Sequence, residues 1–577
     1  MKNLEAAAIF YRIAELLELK NDNPFKIRSY RKAAQVLEAL TEDLAEIHRR
    51  GGVDALREIP GVGEAIAKKI EEILATGKLS YYEELKAAVP QGLVALLSIP
   101  EVGPKTARLL HEKLKVEGIE ELEKAAREGK VRELPGMGTK SEENILRGIE
   151  LLRKGKERLA LGVAYPIAQS IVAELKDLPA VLRIDVAGSL RRMRETIGDI
   201  DILAASCEPV PVMERFTTLA QVKQVLARGK TKSSLIVEGG VQVDLRVVEP
   251  ESFGAALQYF TGSKEHNIRL RELAVRRGLK INEYGVFEVE SGKRIAGAAE
   301  EEVYAALKLP WVPPELREDR GEIEAAQEDR LPRLVELADL RGDLHAHTRW
   351  SDGGHSLLEM AEAARGRGYR YLAVTDHSQS LKVAGGLSVD RLKEQIREIR
   401  KLNEKLGDFR LLAGIEVDIK KDGSLDFEDK LLAQLEVVIA AVHSGFKMEA
   451  QAMTERILKA IANPYVNILA HPSGRIIGQR EPYSVDMERL IRGAADTGTF
   501  LEINAFPERL DLKDTHARRA KELGVPISLG TDAHNLMQLD LMAFGVATAR
   551  RGWLEAKDLL NSLPVDKLLE KLARKRS

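Results

Sequence analysis

Beyond residue 336 the chain alternates short apolar runs with helical stretches, and the residues that follow those runs constrain the fold most. The runs are Leu372–Val374, Leu411–Ile415, Glu436–Val442, Val466–Ala470, Thr499–Ile503 and Ile527–Leu529. Strands separated by helix-length segments predict a parallel sheet, closed or open. Eight of the eleven histidines lie after residue 340, and most stand just behind an apolar run. The clusters are Asp343-Leu344-His345-Ala346-His347, Thr375-Asp376-His377, Gly414-Ile415-Glu416, Ala441-Val442-His443, Leu469-Ala470-His471 and Thr531-Asp532-Ala533-His534. Side chains at the C-terminal ends of successive barrel strands converge on one rim. His345 and His347 share a strand face by their i, i+2 spacing. Imidazoles mixed with carboxylates suit Zn²⁺, Mn²⁺ or Fe²⁺; an oxygen-only set would suit Mg²⁺.

A second constellation precedes it. Gly188-Ser189-Leu190-Arg191-Arg192 is followed by Gly198-Asp199-Ile200-Asp201-Ile202. On a predicted strand, Asp199 and Asp201 face one side while Ile200 and Ile202 enter a core. Two adjacent carboxylates repel unless a cation lies between them. Asp244, on the predicted strand Val241–Val248, supplies a third, and shared carboxylates can hold a divalent ion pair for phosphoryl transfer. The other β-rich runs are Val181–Val186, Ile200–Ala204 and Leu235–Val237, with Glu238-Gly239-Gly240 as a hairpin turn.

The first 150 residues read as all-α, beginning with a helix over Leu4–Leu19. A short signature recurs there at roughly 35–40-residue spacing: Ile59-Pro60-Gly61-Val62-Gly63, Ile99-Pro100-Glu101-Val102-Gly103 and Leu134-Pro135-Gly136-Met137-Gly138, each opening a helix (64–74, 104–114, 139–149). Such a turn presents backbone N–H groups to a phosphate. With a net charge of only −2, any DNA binding must come from such backbone groups or local patches; the plainer alternative is an ordinary tight turn between packed helices. Glu101 in the second copy calls for a different turn geometry. Of the 577 residues, 44% are apolar and 31% charged, the balance of a multidomain globular protein rather than a disordered or fibrous one. The lack of an ~18-residue apolar stretch argues against a membrane helix. The absence of a leader-like N-terminus, with the single cysteine Cys207, predicts a cytoplasmic, membrane-free protein.

Together these motifs resemble the family X DNA polymerases, the group that includes DNA polymerase β. The resemblance spans residues 1 to about 310 and is carried by Tyr30-Arg31-Lys32-Ala33-Ala34, Pro60-Gly61-Val62-Gly63, Ala75-Thr76-Gly77-Lys78-Leu79, the Gly-Ser and Gly-Asp-x-Asp pair, Tyr259-Phe260-Thr261-Gly262-Ser263 and Asn282-Glu283-Tyr284-Gly285. It implies that Asp199, Asp201 and Asp244 bind catalytic Mg²⁺. Gly188, Ser189 and Arg192 then hold the triphosphate, Tyr259, Phe260 and Gly262 line the sugar, and Asn267 and Arg271 meet the minor-groove edge of the new pair. DNA contacts fall to Tyr30, Gly61, Gly63, Lys68, Gly103, Lys105, Gly136 and Gly138. Lys69, with Tyr30 and Lys26, occupies the position of a Schiff-base lysine for deoxyribose-phosphate removal; the plainer alternative is a solvated basic helix. Phe25 and Ala65 depart from the family's polar or basic groups.

Residues 336–577 resemble a polymerase-and-histidinol-phosphatase (PHP) domain. The resemblance implies that His345, His347, Asp352, His377, Glu416, His443, His471, Asp532 and His534 bind up to three Mn²⁺ or Zn²⁺ ions, with Glu416 bridging, for phosphoester hydrolysis. His355, His516 and Asn504 are left unassigned.

The expected architecture is a helix-hairpin-helix lyase-like domain (1–85), a fingers-type helical domain (86–155), an α+β nucleotidyltransferase palm (156–262), a thumb (263–312), a polar linker (313–335) and an α/β PHP barrel (336–577). The expected function is gap-filling DNA synthesis from dNTPs in base excision repair, on gapped or nicked DNA with a 5′-phosphate, by a monomer. The PHP domain is expected to supply 3′–5′ exonuclease activity and cleavage at abasic sites. The alternatives are a template-independent nucleotidyltransferase joined to a small-molecule phosphatase, and a non-catalytic DNA scaffold with a structural metal cluster. A chain ending near Pro313 is expected to keep a self-contained polymerase core.

Overall fold

The computed structural model describes every residue except 1, 40–43, 60, 98, 100, 101, 155–157, 574, 576 and 577. It divides into two compact units: residues 1–157 with 268–281 and 286–295, and residues 158–267 with 282–285 and 296–577.

The described part of residues 1–157 is helical. Lys2–Leu19 packs on Pro24–Ala39 over a core that includes Phe10, Ile13, Leu17 and Leu37. The helices expected behind the recurring turns are Glu64–Thr76, Pro104–Leu114 and Thr139–Lys154. Each turn has one hydrogen-bond pattern: Val62, Val102 and Met137 N–H donate to the carbonyls of Ile59, Ile99 and Leu134 at 3.0 Å. The buried apolar residue of each turn anchors it, while a Cβ built on Gly63, Gly103, Gly136 or Gly138 meets nothing within 4 Å. The backbone at these helix starts therefore faces open space. Pro60, Pro100 and Glu101 lie outside the described residues.

The second unit holds two large sheets, beside the two-stranded antiparallel pair of Leu159–Ala160 and Thr196–Ile197. One has five strands in the order Arg183–Val186, Ile200–Ala205, Gln242–Val248, Lys232–Val237 and Val222–Arg228. Its second and third strands are parallel; its other neighbours are antiparallel. The edge strand Val222–Arg228 escapes sequence reading because its residues alternate only between half-buried and exposed, and its short apolar run Val225–Ala227 sits among Lys223, Gln224 and Arg228. The other sheet has seven parallel strands in chain order, from Gly342–Ala346 to Ile527–Gly530. A parallel bridge between Ala346 and Ala533 closes it into a barrel, with His347 N–H bonded to the Ala533 carbonyl at 2.8 Å and Asp532 N–H to that of His345 at 2.9 Å.

Residues 313–335 are not a solvated linker. Arg317 is fully buried, bonded to Glu300 at 2.7 Å and lying over the Tyr304 and Trp311 rings. Glu322 is buried against His266 Nδ1 at 2.7 Å, whose Nε2 meets Tyr304 OH at 2.9 Å. Arg317 and Glu322, which look like linker charges, each have a buried partner, as buried charge requires, while Glu328 and Arg330 pair in solvent.

Nor is the core of the five-stranded half self-contained. Leu510 and Phe544, from the barrel half, belong to the same apolar cluster as Leu161, Ile200 and Leu245. Tyr165 meets Phe544 edge to face at 5.7 Å. Gly162 sits so close to Pro507 that a Cβ would lie 2.3 Å from the proline Cβ. A chain ending near Pro313 would bare this face and withdraw Arg317 from Glu300, so the expected independence of the first half is corrected. Phe544→Ala should destabilise the five-stranded half by about 3 kcal/mol. Hydrogen exchange reads this as lost protection in Ile200–Ala205 and Gln242–Val248; unchanged protection there would contradict a shared core.

Candidate active sites

In the five-stranded half, Asp199 lies in the bend just before strand Ile200–Ala205 rather than within it. Asp201 stands directly opposite Asp244 on the neighbouring parallel strand. Ile200 and Ile202 are buried behind them, as the alternation predicts. Burial, then repulsion from Asp199 and Asp244, pushes the Asp201 carboxyl up to about 7. Asp199 is raised by burial and by Asp244. Asp244 accepts from Gln242 Nε2 at 3.0 Å and faces Lys232 Nζ at 3.1 Å. Three carboxylates compressed in this way fit a shared cation.

Gly188 opens the short helix Gly188–Arg191 with φ of +60°, and a Cβ there would stand 2.3 Å from Asp201 Oδ2. The glycine is thus required twice, by conformation and by space. Ser189 follows it in the same turn. Arg191, first of the arginine pair, is committed to Glu300 through two bonds of 2.8 Å. Arg192 Nη1 donates to the Thr261 carbonyl and Nε to Glu318 at 3.1 Å. Gly262 leaves room for that guanidinium: its Cβ would be 3.2 Å from Arg192 Nη1. Tyr259 and Phe260 are half-buried and edge to face at 5.2 Å, with Arg246 over the Phe260 ring. Asn267 Nδ2 donates to the Tyr259 carbonyl at 2.7 Å. Arg271 lies one turn further along the helix Lys264–Val275, in the first unit.

In residues 1–157, Lys69 and Lys26 hold their ammonium groups 5.0 and 5.1 Å from the centre of the Tyr81 ring, which stacks on Tyr30. Tyr81 was not singled out in the sequence; its only signal is an aromatic behind Gly77-Lys78. Lys68 is solvent-facing and pairs with Glu64 one turn back at 2.9 Å. Lys105 is exposed on the first turn of Pro104–Leu114, and Phe25 is exposed beneath Arg28.

The barrel rim gathers all nine residues expected there. Three groups have ligand atoms mutually within 4.8 Å: His347, Asp352, His377 and His534; His345, His347 and Asp532; and His377, Glu416 and His443. Glu416, 1% exposed, is central. Its Oε2 is 2.9 Å from His377 Nδ1 and 3.5 Å from His345 Nε2, and its Oε1 is 2.9 Å from His471 Nε2 and 3.3 Å from His443 Nε2. The close approach of Glu416 Oε2 and His377 Nδ1 lacks hydrogen-bond geometry, and buried His347 Nδ1 and His471 Nδ1 also lack hydrogen-bond partners. Orphaned buried atoms aimed into a cluster of imidazoles and carboxylates fit metal ions. His355 and His516 stand outside the three groups.

Of the residues behind this set, Glu502 and Asp418 were not picked out in the sequence, and Asn504 was left without a role. Glu502, buried, accepts from His345 Nδ1 at 2.7 Å and from His471 N–H at 2.8 Å; Asp418 meets His443 Nδ1 at 2.6 Å. Asn504 Nδ2 donates to Asp532 at 3.1 Å. A carboxylate behind a ligating histidine fixes its tautomer and orientation. A signal was available: Asp418 ends the apolar strand Arg410–Asp418, and Glu502 is the one charged residue inside the apolar strand Phe500–Asn504.

Four segments match known families: residues 1–79 a helix-hairpin-helix domain, 93–150 a SAM-like helix-hairpin-helix tandem, 256–318 the DNA polymerase beta thumb and 343–505 the PHP domain. The chain is 44% identical over 552 residues to the DNA polymerase/3′-5′ exonuclease PolX of Bacillus subtilis (strain 168), covering 95% of each chain. It is 29% identical over 245 residues to a probable phosphatase of Thermoanaerobacter sp. (strain X514), spanning 41% of this chain and 95% of that one. A probable phosphatase of Syntrophotalea carbinolica is 34% identical over 203 residues, 33% of this chain and 79% of its own.

Metal uptake at the barrel rim should release protons. Burial alone would lower the histidine pKa values. Glu416 and Asp418 outweigh it at His443, pushing it up to about 10, and Asp352 and Asp532 push His534 up to about 9. A metal needs these rings neutral, so affinity should rise with pH until they lose their protons at about 9 to 10. Titration calorimetry with Mn²⁺ in buffers of different ionisation enthalpy measures the release; a buffer-independent heat would contradict this protonation state.

Proposed function

Because the chain belongs to the family X DNA polymerases that carry a C-terminal PHP domain, we propose that it is a DNA-directed DNA polymerase joined to a metal-dependent 3′–5′ exonuclease, filling short gaps during base excision repair. The observation that carries this reading is the pairing of two separate acidic centres in one chain: Asp199, Asp201 and Asp244 at one, and nine histidine and carboxylate residues around Glu416 at the other.

At the first centre Ser189 and Arg192 hold the triphosphate of the incoming dNTP, and Tyr259, Phe260 and Gly262 meet its sugar. Asn267 and Arg271 take the minor-groove edge of the new pair. Divalent ions, Mg²⁺ at the aspartates and Mn²⁺ or Zn²⁺ at the imidazole-rich rim, supply charge neutralisation and an activated oxygen nucleophile. The helix starts at Gly61, Gly63, Gly103, Gly136 and Gly138 receive DNA phosphates through backbone N–H groups. Lys68, Lys105 and Tyr30 add contacts, and a 5′-phosphate in the gap strengthens binding. Lys69, drawn with Lys26 to the Tyr81 ring, is the candidate nucleophile for deoxyribose-phosphate removal.

At the second centre the chain hydrolyses 3′-terminal phosphodiesters and cuts at abasic sites. The protein works as a cytoplasmic monomer. A second reading of this centre, phosphomonoester hydrolysis, is favoured by the likeness of residues in this half to probable phosphatases.

Asp201→Asn should reduce nucleotide incorporation on gapped DNA by about a thousandfold, the scale of removing a group that holds transition-state charge, and leave hydrolysis intact. His377→Ala should do the reverse. Both activities are measured on one preparation of each variant, with a 3′-labelled oligonucleotide and p-nitrophenyl phosphate as hydrolytic substrates. Loss of both activities in either variant would refute two centres; turnover of the phosphomonoester alone would establish the second reading.

A further inference from the structure

The helix Met542–Arg551 belongs to the barrel half, yet its last residue reaches the nucleotide-binding turn. Arg551 is 6% exposed. Its Nη1 donates to the main-chain carbonyl of Arg192 at 2.7 Å and to Glu318 Oε1 at 3.0 Å, and its Nη2 donates to Asp514 Oδ2 at 2.8 Å. Glu318, in the segment between the halves, also takes Arg192 Nε at 3.1 Å and Arg194 Nη1 at 3.2 Å.

One guanidinium from the hydrolytic half therefore grips Arg192 twice. It holds the main chain directly and the side chain through a shared carboxylate. Arg192 itself is 8% exposed, so these bonds, with the one to the Thr261 carbonyl, set its orientation. Three guanidinium groups around one carboxylate leave an excess of positive charge beside the Gly188–Arg191 turn. A planar fork of donors fixes such an array more tightly than an ammonium can.

We infer that Arg551 is a positioning residue for nucleotidyl transfer: from the hydrolytic half it fixes, through Glu318 and the Arg192 backbone, the guanidinium that meets the incoming triphosphate. The inference rests on the proposed role of Arg192. Arg551 touches no reacting atom, so its contribution lies in nucleotide binding and not in the chemical step.

The test uses the full chain, single-nucleotide incorporation on gapped DNA, and Mn²⁺-dependent hydrolysis of a single-stranded oligonucleotide. Arg551→Ala should raise the KM for dNTP about tenfold, the scale of losing a charge-assisted hydrogen bond. Its kcat and its hydrolysis should stay within about twofold. Arg551→Lys should recover part of the loss, because one ammonium cannot span all three acceptors. Arg192→Ala should raise KM at least as far, and Arg192→Ala with Arg551→Ala should cost no more than Arg192→Ala alone, since the second arginine acts only through the first. A merely structural role would make the two losses add. If Arg551→Ala loses hydrolysis as well, the shape-conserving Glu318→Gln takes its place and should raise KM by a similar factor. A wild-type KM in Arg551→Ala or Glu318→Gln, beside a raised KM in Arg192→Ala, overturns this inference alone. A wild-type KM in Arg192→Ala overturns the triphosphate reading, and the inference with it.

Discussion

Glu416 sets the terms for the C-terminal half. An isolated buried carboxylate is very costly, and this one lies at the centre of the barrel rim with both oxygens turned toward histidines. Burial would raise its pKa, but His377, His443 and His345 hold it well below the usual range. The barrel satisfies this demand through its register. Each parallel strand, near its C-terminal end or in the turn just beyond, contributes an imidazole or carboxylate to the same rim. Glu502 and Asp418 then fix two of the rings from behind. Asp201 poses the same problem in the smaller sheet with the opposite result: its neighbours are carboxylates, so its carboxyl is raised and not lowered.

The two centres differ in chemistry but not in support. Phe544 and Leu510 complete the apolar cluster beneath the five-stranded sheet, and Gly162 admits Pro507 to near contact. Polar contacts reinforce this packing at Arg475–Glu195, Arg320–Asp514 and Arg550–Glu315. The barrel therefore acts as a structural floor for the sheet that carries Asp199, Asp201 and Asp244. A phosphoesterase fold attached by a flexible tether would give none of these contacts. The segment between the halves is packed and ion-paired at Glu315, Arg317, Glu318 and Glu322.

Much of this was legible in the sequence, for identifiable reasons. The recurring turns, the helices behind them and the barrel strands follow from local periodicity, which the tertiary structure leaves intact. Eight of the nine rim ligands stand out because each is a polar residue in or just behind an apolar run; Asp352, in a turn beyond Gly342–Ala346, follows only from the resemblance to the PHP domain. Legibility fails where a residue's meaning depends on a distant partner. Arg317, Glu322 and Glu318 look like solvated charges until Glu300, His266 and Arg551 close on them. Phe544 and Leu510 look like ordinary barrel core until they are found under another sheet. Glu502 and Asp418 share the ligands' own sequence pattern, and only the direction of His345 and His443 separates support from coordination. Asp199 lies in a bend and not in the strand, because the strand begins at Ile200, the first position with a parallel partner.

The central claim is that both acidic centres exist to hold divalent cations within one shared scaffold. Anomalous diffraction from crystals of the full chain grown with Mn²⁺ tests it most directly. The account predicts peaks among the three ligand groups around Glu416 and a further peak between Asp201 and Asp244. Manganese found only on the surface, with neither Glu416 nor the aspartates in contact with it, would contradict the account.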